Sequence, residues 1–264
     1  MRTTVFLGGG RITAALLAGL RRSKYRGPLL VHDHHLENLR QIRRLYGAST
    51  ERDLHRAVEK AGILVIAVRP SSVSGLLCEI GQIGHPVIAV SLAAGIQLAS
   101  LRNALGPRVR WARAMPSPAC RSGHGLTALV FDRGFPAAGK REVKALFARV
   151  GPVLEIPERK FDAFTVTYSC SHGYHALATL ANQAEKLGLD RRTALTAAAH
   201  ALADGIVAWR EGSIRLEALL REAATPGGIA SATQEAARRA GYPRAVAAGL
   251  AAGMKQSRKN AKLA

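Results

Sequence analysis

Two short stretches carry residue types and spacings that can do chemistry. In the first, Gly8-Gly9-Gly10-Arg11-Ile12-Thr13 joins a β-branched and aromatic run, Thr4–Leu7, to a segment in which Ile12, Leu16, Leu17 and Leu20 recur at helical spacing. Gly8 permits a tight turn and Gly10 a close backbone approach. The helix that follows offers free N–H groups and a positive dipole end, so the natural ligand is a pyrophosphate. Thr13 replaces the third glycine or alanine of such a turn, and a purely structural turn is the competing explanation. The second stretch is His32-Asp33-His34-His35, with Asp33 about twenty residues beyond the glycines, where an acid would meet an adenosine ribose. That placement favours NADH, whereas the neighbouring histidines would favour the 2′-phosphate of NADPH, so either cofactor form is open. The histidines are adjacent on a strand end and cannot converge easily on a metal ion, and no metal is expected.

The elements that must position these residues alternate short strands with helices, the rhythm of βαβ units on a parallel sheet. The strand candidates are Thr4–Leu7, Leu29–His32, Ile63–Val68, Val87–Ser91, Val109–Ala112, Ala128–Phe131 and Val153–Ile156. From Lys160 onward no strand is expected. Alanine-rich segments take over at Ala176–Leu187, Arg191–Arg210, Leu216–Ala223, Ile229–Ala240 and Ala245–Ala261. The predicted fold is therefore α/β, a doubly wound N-terminal sheet over residues 1–157 followed by an all-α domain over residues 158–264. The boundary falls near Gly151–Lys160. So much alanine and leucine surface exceeds what one short bundle covers, which predicts a helical interface in a homodimer or higher homo-oligomer.

Composition narrows the function classes. With 264 residues, 48% hydrophobic and 21% charged, the chain can bury a large core. No apolar run reaches the length of a membrane helix, and the opening residues turn to glycine before a signal-peptide core forms, so a cytoplasmic protein is expected. Cys78, Cys120 and Cys170 lie far apart and read as reduced thiols. The 38 Lys and Arg against 18 Asp and Glu give a net charge of +20, which would attract polyanions. Nucleic acid is nonetheless not expected as the main partner, because the basic residues are scattered and aromatics are only 5%.

Five segments occur in order: Phe6-Leu7-Gly8-Gly9-Gly10, Ala67-Val68-Arg69-Pro70, Ser91-Leu92-Ala93-Ala94-Gly95-Ile96, Arg113-Ala114-Met115-Pro116 and Thr225-Pro226-Gly227-Gly228. Together they make the chain resemble the pyrroline-5-carboxylate reductase family over nearly its whole length. The resemblance implies a Rossmann domain that binds NAD(P)H, an interleaved helical dimer, and a cyclic imino acid bound between the domains. Carried across, Gly8, Gly10, Arg11 and Ile12 would hold the pyrophosphate. Val68, Arg69 and Pro70 would border the cofactor, with Arg69 where the family usually has lysine. Ala93, Ala94 and Gly95 would lie near the nicotinamide, and Met115 and Pro116 beside the substrate. Thr225, Pro226, Gly227 and Gly228 would take the substrate carboxylate on backbone N–H groups.

Two departures bear on the reaction that the resemblance implies. The family's threonine two residues beyond the second glycine is Ala230 here, followed by Ser231. A Ser-Gly-Ser-Gly-Pro-Ala-Tyr type stretch is replaced by Ser169-Cys170-Ser171-His172-Gly173-Tyr174-His175, with the proline missing and the next helix expected to be shortened. Imine reduction needs a hydride on carbon and a proton on nitrogen, so Tyr174, His172 and Ser231 become the candidate polar contacts to that nitrogen. The leading expectation is reduction of 1-pyrroline-5-carboxylate to proline. The alternatives are a reductase of a different imine and a catalytically inactive cofactor-binding dimer.

Overall fold

A computed structural model describes residues 2–263, which form two compact units, residues 2–169 with 253–263 and residues 170–252. In the first unit the strands are β1 (Thr4–Leu7), β2 (Leu29–His32), β3 (Ser49–Glu51), β4 (Ile63–Ile66), β5 (Val87–Ser91), β6 (Val109–Met115), β7 (Thr127–Phe131) and β8 (Val153–Glu155). Among the described residues they make one sheet in the order β3-β2-β1-β4-β5-β6-β7-β8, parallel except where β7 runs against β6. The order reverses direction at β1, which pairs with β2 on one side and β4 on the other. Leu7 is level with His32 and Ile66, Ile66 with Ser91, and Ser91 with Arg113, so several strands end along one carboxyl edge. This is the edge at which doubly wound sheets bind ligands.

Continuous apolar runs form the central strands because helices cover both faces. The helices of this unit are α1 (Arg11–Arg22), α2 (Leu36–Tyr46), α3 (Leu54–Glu59), α4 (Pro70–Ile80), α5 (Leu98–Leu101), α6 (Ala137–Ala148) and α7 (Glu158–Tyr168). Alternate residues of one strand serve opposite cores: Val5 and Leu7 pack with Leu54, Val73 and Leu101, while Phe6 packs with Leu16, Leu39 and Phe147. No described helix is long and apolar enough to cross a membrane.

Several expectations need correcting. β3 is a short polar edge strand with no apolar signature, additional to the strand candidates. β4 ends at Ile66 rather than Val68, and β6 continues past Ala112 to Met115. The charge on Arg113 hid that continuation. Its side chain is only 1% exposed, but Glu158 meets it at 2.8 Å and Asp162 at 3.4 Å, and the guanidinium lies 4.1 Å from the centre of the Phe161 ring. A buried cation is tolerated where opposite charges and hydrogen bonds replace water, as here. Glu158 also accepts the Leu98 N–H at 3.1 Å, so one carboxylate ties α7 to both β6 and α5. Residues 158–169 thus pack with the sheet in the first compact unit.

The second unit holds α8 (His172–Lys186), α9 (Arg191–Glu211), α10 (Leu216–Glu222), α11 (Ile229–Arg239) and the first part of α12 (Tyr242–Ala261). The helix expected to be shortened is α8, which begins at His172, four residues ahead of the expected start at Ala176, and runs for 15 residues. The buried cluster between α8 and α9 is made of small residues, Ala181, Ala194 and Ala198, which let the two backbones approach closely. Ile206, Trp209, Leu220 and Ile229 remain exposed.

Candidate functional site

The glycine turn is shaped by contacts that each position makes differently. Gly8 has φ +105°, and a Cβ there would lie 2.7 Å from the Ala67 carbonyl oxygen, so only glycine fits. At Gly9 a Cβ would crowd Ile42 at 2.9 Å. Gly10 differs: a Cβ would meet no atom within 4 Å, because that side of the residue opens into clefts. Gly10 is also the N-terminal flank of α1, where no side chain accepts an orphan N–H. Thr13, the departure from the usual third glycine, is fully buried, and its hydroxyl donates to the Gly8 carbonyl at 2.6 Å. The substitution therefore braces the turn from inside.

Asp33 secures the same turn from β2. Its Oδ2 accepts the Gly9 N–H at 2.6 Å and the Asn38 amide at 3.2 Å, and its Oδ1 accepts the His35 N–H at 2.7 Å. Burial opposes ionisation, but the backbone donors of His35 and Gly9, with Asn38, outweigh it and hold the carboxyl below the ordinary aspartate value. His32, at the end of β2, is moved the other way from a charged state: burial depresses its basicity against the pull of the Glu51 carbonyl, which lies 3.2 Å from Nδ1. Among the described residues no three His, Cys, Asp or Glu side chains are grouped to hold a metal ion.

Two clefts flank this turn. One, of about 480 Å³, is bordered by Gly8, Gly10, His32, Asp33, Val68 and Arg69, with His34 and His35 at its rim. The other, of about 640 Å³, is bordered by Gly10, Arg11, Ile12, Val68, Arg69 and Arg121. Arg69 flanks the start of α4, and Pro70 is that helix's first residue. Ala93, Ala94 and Gly95 follow β5, with Gly95 at φ +84°, and Met115 closes β6 just before Pro116. The structure thus brings Gly8, Gly10, Arg11, Ile12, Asp33, Val68, Arg69, Pro70, Ala93, Ala94, Gly95, Met115 and Pro116 to the carboxyl side of one sheet.

The remaining sequence candidates belong to the second unit. Thr225 and Gly228 close a turn through a 3.0 Å hydrogen bond from the Gly228 N–H to the Thr225 carbonyl, with Gly227 at φ +76°. Gly228 flanks the start of α11, where no side chain accepts the first N–H groups, and Ser231 is half-buried in its first turn. His172 and Tyr174 lie in the first turn of α8, and Tyr174 is 64% exposed. The residue before α8, Ser171, has φ +57°, a conformation in which glycine would be unstrained.

Sequence reasoning missed Asn38, the bracing role of Thr13, and the hydroxyl pair Ser117–Tyr168 at 3.0 Å beyond β6. Only Thr13 had a signal, as the misfit in a glycine pattern. The Asp33 anchor yields a testable consequence. Because its carboxyl is held below the ordinary value near 3.9, its stabilising effect is complete above that value and is lost as pH falls through the lowered one. Asp33→Ala is expected to reduce unfolding free energy by about 1–2 kcal/mol at pH 7. In urea titrations the gap from the unsubstituted chain should close below about pH 4; a gap constant from pH 7 to pH 3 contradicts the assignment.

Comparisons with known proteins match this geometry. Residues 158–260 match the family model described as pyrroline-5-carboxylate reductase dimerisation, and residues 3–95 match that of NADP oxidoreductase coenzyme F420-dependent. A pyrroline-5-carboxylate reductase of Thermus thermophilus is 35% identical over 204 residues, covering 75% of this chain and 76% of the relative. One from Mycobacterium tuberculosis is 29% identical over 284 residues, covering 97% of this chain and 96% of the relative. Among solved structures, a Plasmodium falciparum pyrroline carboxylate reductase with NADP bound shares the fold with a TM-score of 0.88 at 18% identity, covering 98% of both chains. The Streptococcus pyogenes 1-pyrroline-5-carboxylate reductase gives 0.89 at 19% identity, with 97% of this chain and 98% of that one covered. The 35% identity to the Thermus thermophilus reductase, with a Rossmann-type sheet edge and a helical region that matches the dimerisation model, places the chain in the pyrroline-5-carboxylate reductase family.

Proposed function

We propose that the chain is an NAD(P)H-dependent oxidoreductase that reduces the C=N bond of a cyclic imino acid, 1-pyrroline-5-carboxylate, to give proline. Membership of the reductase family supports the activity. The structural observation that carries the cofactor assignment is Gly10, whose missing Cβ leaves the uncapped start of α1 open to a phosphate. The residues fit the group. Gly8, Gly10, Arg11 and Ile12 would hold the pyrophosphate, Asp33 the turn and one edge of the ribose, and Val68, Arg69 and Pro70 the far wall. The bound dinucleotide supplies the hydride, the difficult part of the chemistry.

The protein's own task is orientation and proton supply. In this reading Ala93, Ala94 and Gly95 border the reacting half of the cofactor, Met115 and Pro116 border the substrate, and the Thr225–Gly228 turn takes the carboxylate. The left-handed Gly227 precedes a helix start with no side-chain cap, where the first N–H groups of α11 favour an anion without any cationic side chain. Tyr174, His172 and Ser231 are the groups proposed to contact the imine nitrogen. Ala230 cannot make such a contact, and Ser231 offers a hydroxyl one residue later. Reduction of a different imine is the second reading, favoured by Ala230 and by the altered stretch Ser169–His175. If reduction is absent while cofactor binds, a catalytically inactive dimer remains.

Steady-state turnover of 1-pyrroline-5-carboxylate against 1-pyrroline tests the assignment. The carboxylate should raise kcat/KM by about two- to fivefold, the equivalent of about 0.3–1 kcal/mol at an exposed helix start. Equal values for the two substrates would remove the Thr225–Gly228 turn from the site.

The uncovered apolar residues of α9 to α11, together with the dimerisation-model match, support a homo-oligomer, and we assign its basic form as a homodimer. Obligate interfaces bury more than about 2,000 Å² and resemble a divided core, which suits helices whose inner contacts are alanines. Sedimentation at micromolar concentration should find no monomer; a monomer alone would contradict the assignment.

A further inference from the structure

The last turns of α12 pack against the sheet-edge turn that follows β5. Asn260 Nδ2 donates to the Ala94 carbonyl at 3.1 Å, a contact between residues 166 apart in sequence. The Gln256 amide donates to Asn260 Oδ1 at 3.0 Å, which fixes the Asn260 amide with its nitrogen toward Ala94. Next to it, Gly95 adopts φ +84°, and a Cβ there would stand 2.5 Å from the Ser257 carbonyl oxygen and 2.7 Å from Asn260 Cβ. Ser257 itself is 4% exposed. On its other side the same helix seats Gly253 against Val166 of α7, where a Cβ would come within 2.8 Å of a Val166 methyl group. The Ala94–Gly95 turn is therefore fixed by tertiary contact as well as by its own backbone.

We propose that Asn260 is a positioning residue for the nicotinamide half of the cofactor, acting through the Ala94 carbonyl and the Gly95 turn, with Gln256 orienting its amide. This rests on the reading that the carboxyl edge of the sheet binds NAD(P)H. The physical basis is simple. A turn with a left-handed residue has neighbouring backbone alternatives, and one hydrogen bond from a rigid helix selects among them. The glycine turn at Gly8–Gly10 is anchored separately by Asp33 and Thr13. The two halves of the cofactor would then depend on different residues, and they can be tested apart.

The experiment is a calorimetric titration of the full chain and of Asn260→Leu and Asn260→Asp with NADPH, with NADH, and with ADP-ribose, which lacks the nicotinamide. Both variants lose the donor, and aspartate also turns an anionic oxygen toward the Ala94 carbonyl. NAD(P)H affinity should fall about five- to tenfold in Asn260→Leu, and further in Asn260→Asp, while ADP-ribose affinity stays within twofold of the unsubstituted chain. A Gln256→Leu variant, which keeps the donor but frees its orientation, should show a smaller loss confined to NAD(P)H and guards against misfolding of the direct variants. Unchanged NAD(P)H affinity in Asn260→Leu, or equal losses for NAD(P)H and ADP-ribose, would overturn the proposal. Failure of the unsubstituted chain to bind any of the three would overturn the cofactor reading itself.

Discussion

The hydrogen bond from the Gly9 N–H to the Asp33 carboxylate, 2.6 Å long, fixes the relation between the first two strands at the point where the sheet changes direction. β1 must end in a turn tight enough for α1 to pack back on the sheet, and the glycines that allow this would otherwise leave the backbone free. The carboxylate removes that freedom. It joins the turn to the β2 end and, through His35 and Asn38, to α2. Thr13 closes the turn from the opposite side. The outcome is a rigid frame with one open face, at Gly10, toward which the start of α1 points.

A similar economy appears on the far side of the sheet. Arg113 is buried in β6, and its partners Glu158 and Asp162 bring α7 onto the strand. Glu158 then reaches the Leu98 N–H at the start of α5. Removing Arg113 would leave two carboxylates without their cation, and removing Glu158 would leave the buried guanidinium with Asp162 alone, so the network fixes where α7 sits on the strand. The residues at the exits of β5 and β6 inherit that position. A Rossmann-type edge is thus held by two polar anchors, one for the glycine turn and one for the later strands.

Most of the sheet was legible in the sequence because buried parallel strands are continuous apolar runs and their turns use glycine. β1, β2 and β5 have the bounds their apolar runs predict. β3 was invisible because Ser49–Glu51 is polar, edge-bound and three residues long. β6 was cut short because Arg113 looks like a strand end until its acidic partners, 45 and 49 residues away, are in place. The site was legible where a motif is local, as at Gly8–Gly10, and hidden where it depends on distant contacts, as with Asn38 at Asp33 and Asn260 at Ala94. Asp33 was found by its spacing, yet its principal contact in the fold is with the glycine turn. The helix after the Ser169–His175 stretch was expected to be shortened and to start at Ala176, but α8 begins at His172, behind a left-handed Ser171.

Hydride transfer to the carbon of an imine is the reaction this frame serves. It is tested most directly by incubating the purified chain with 1-pyrroline-5-carboxylate and nicotinamide cofactor deuterated on one face of C4, for NADPH and NADH and for each face in turn. The product is then analysed by mass spectrometry. Proline is expected to carry one deuterium at C5 from one face of the cofactor and none from the other. Cofactor that binds but is never oxidised, or proline formed without deuterium from either face, would contradict it.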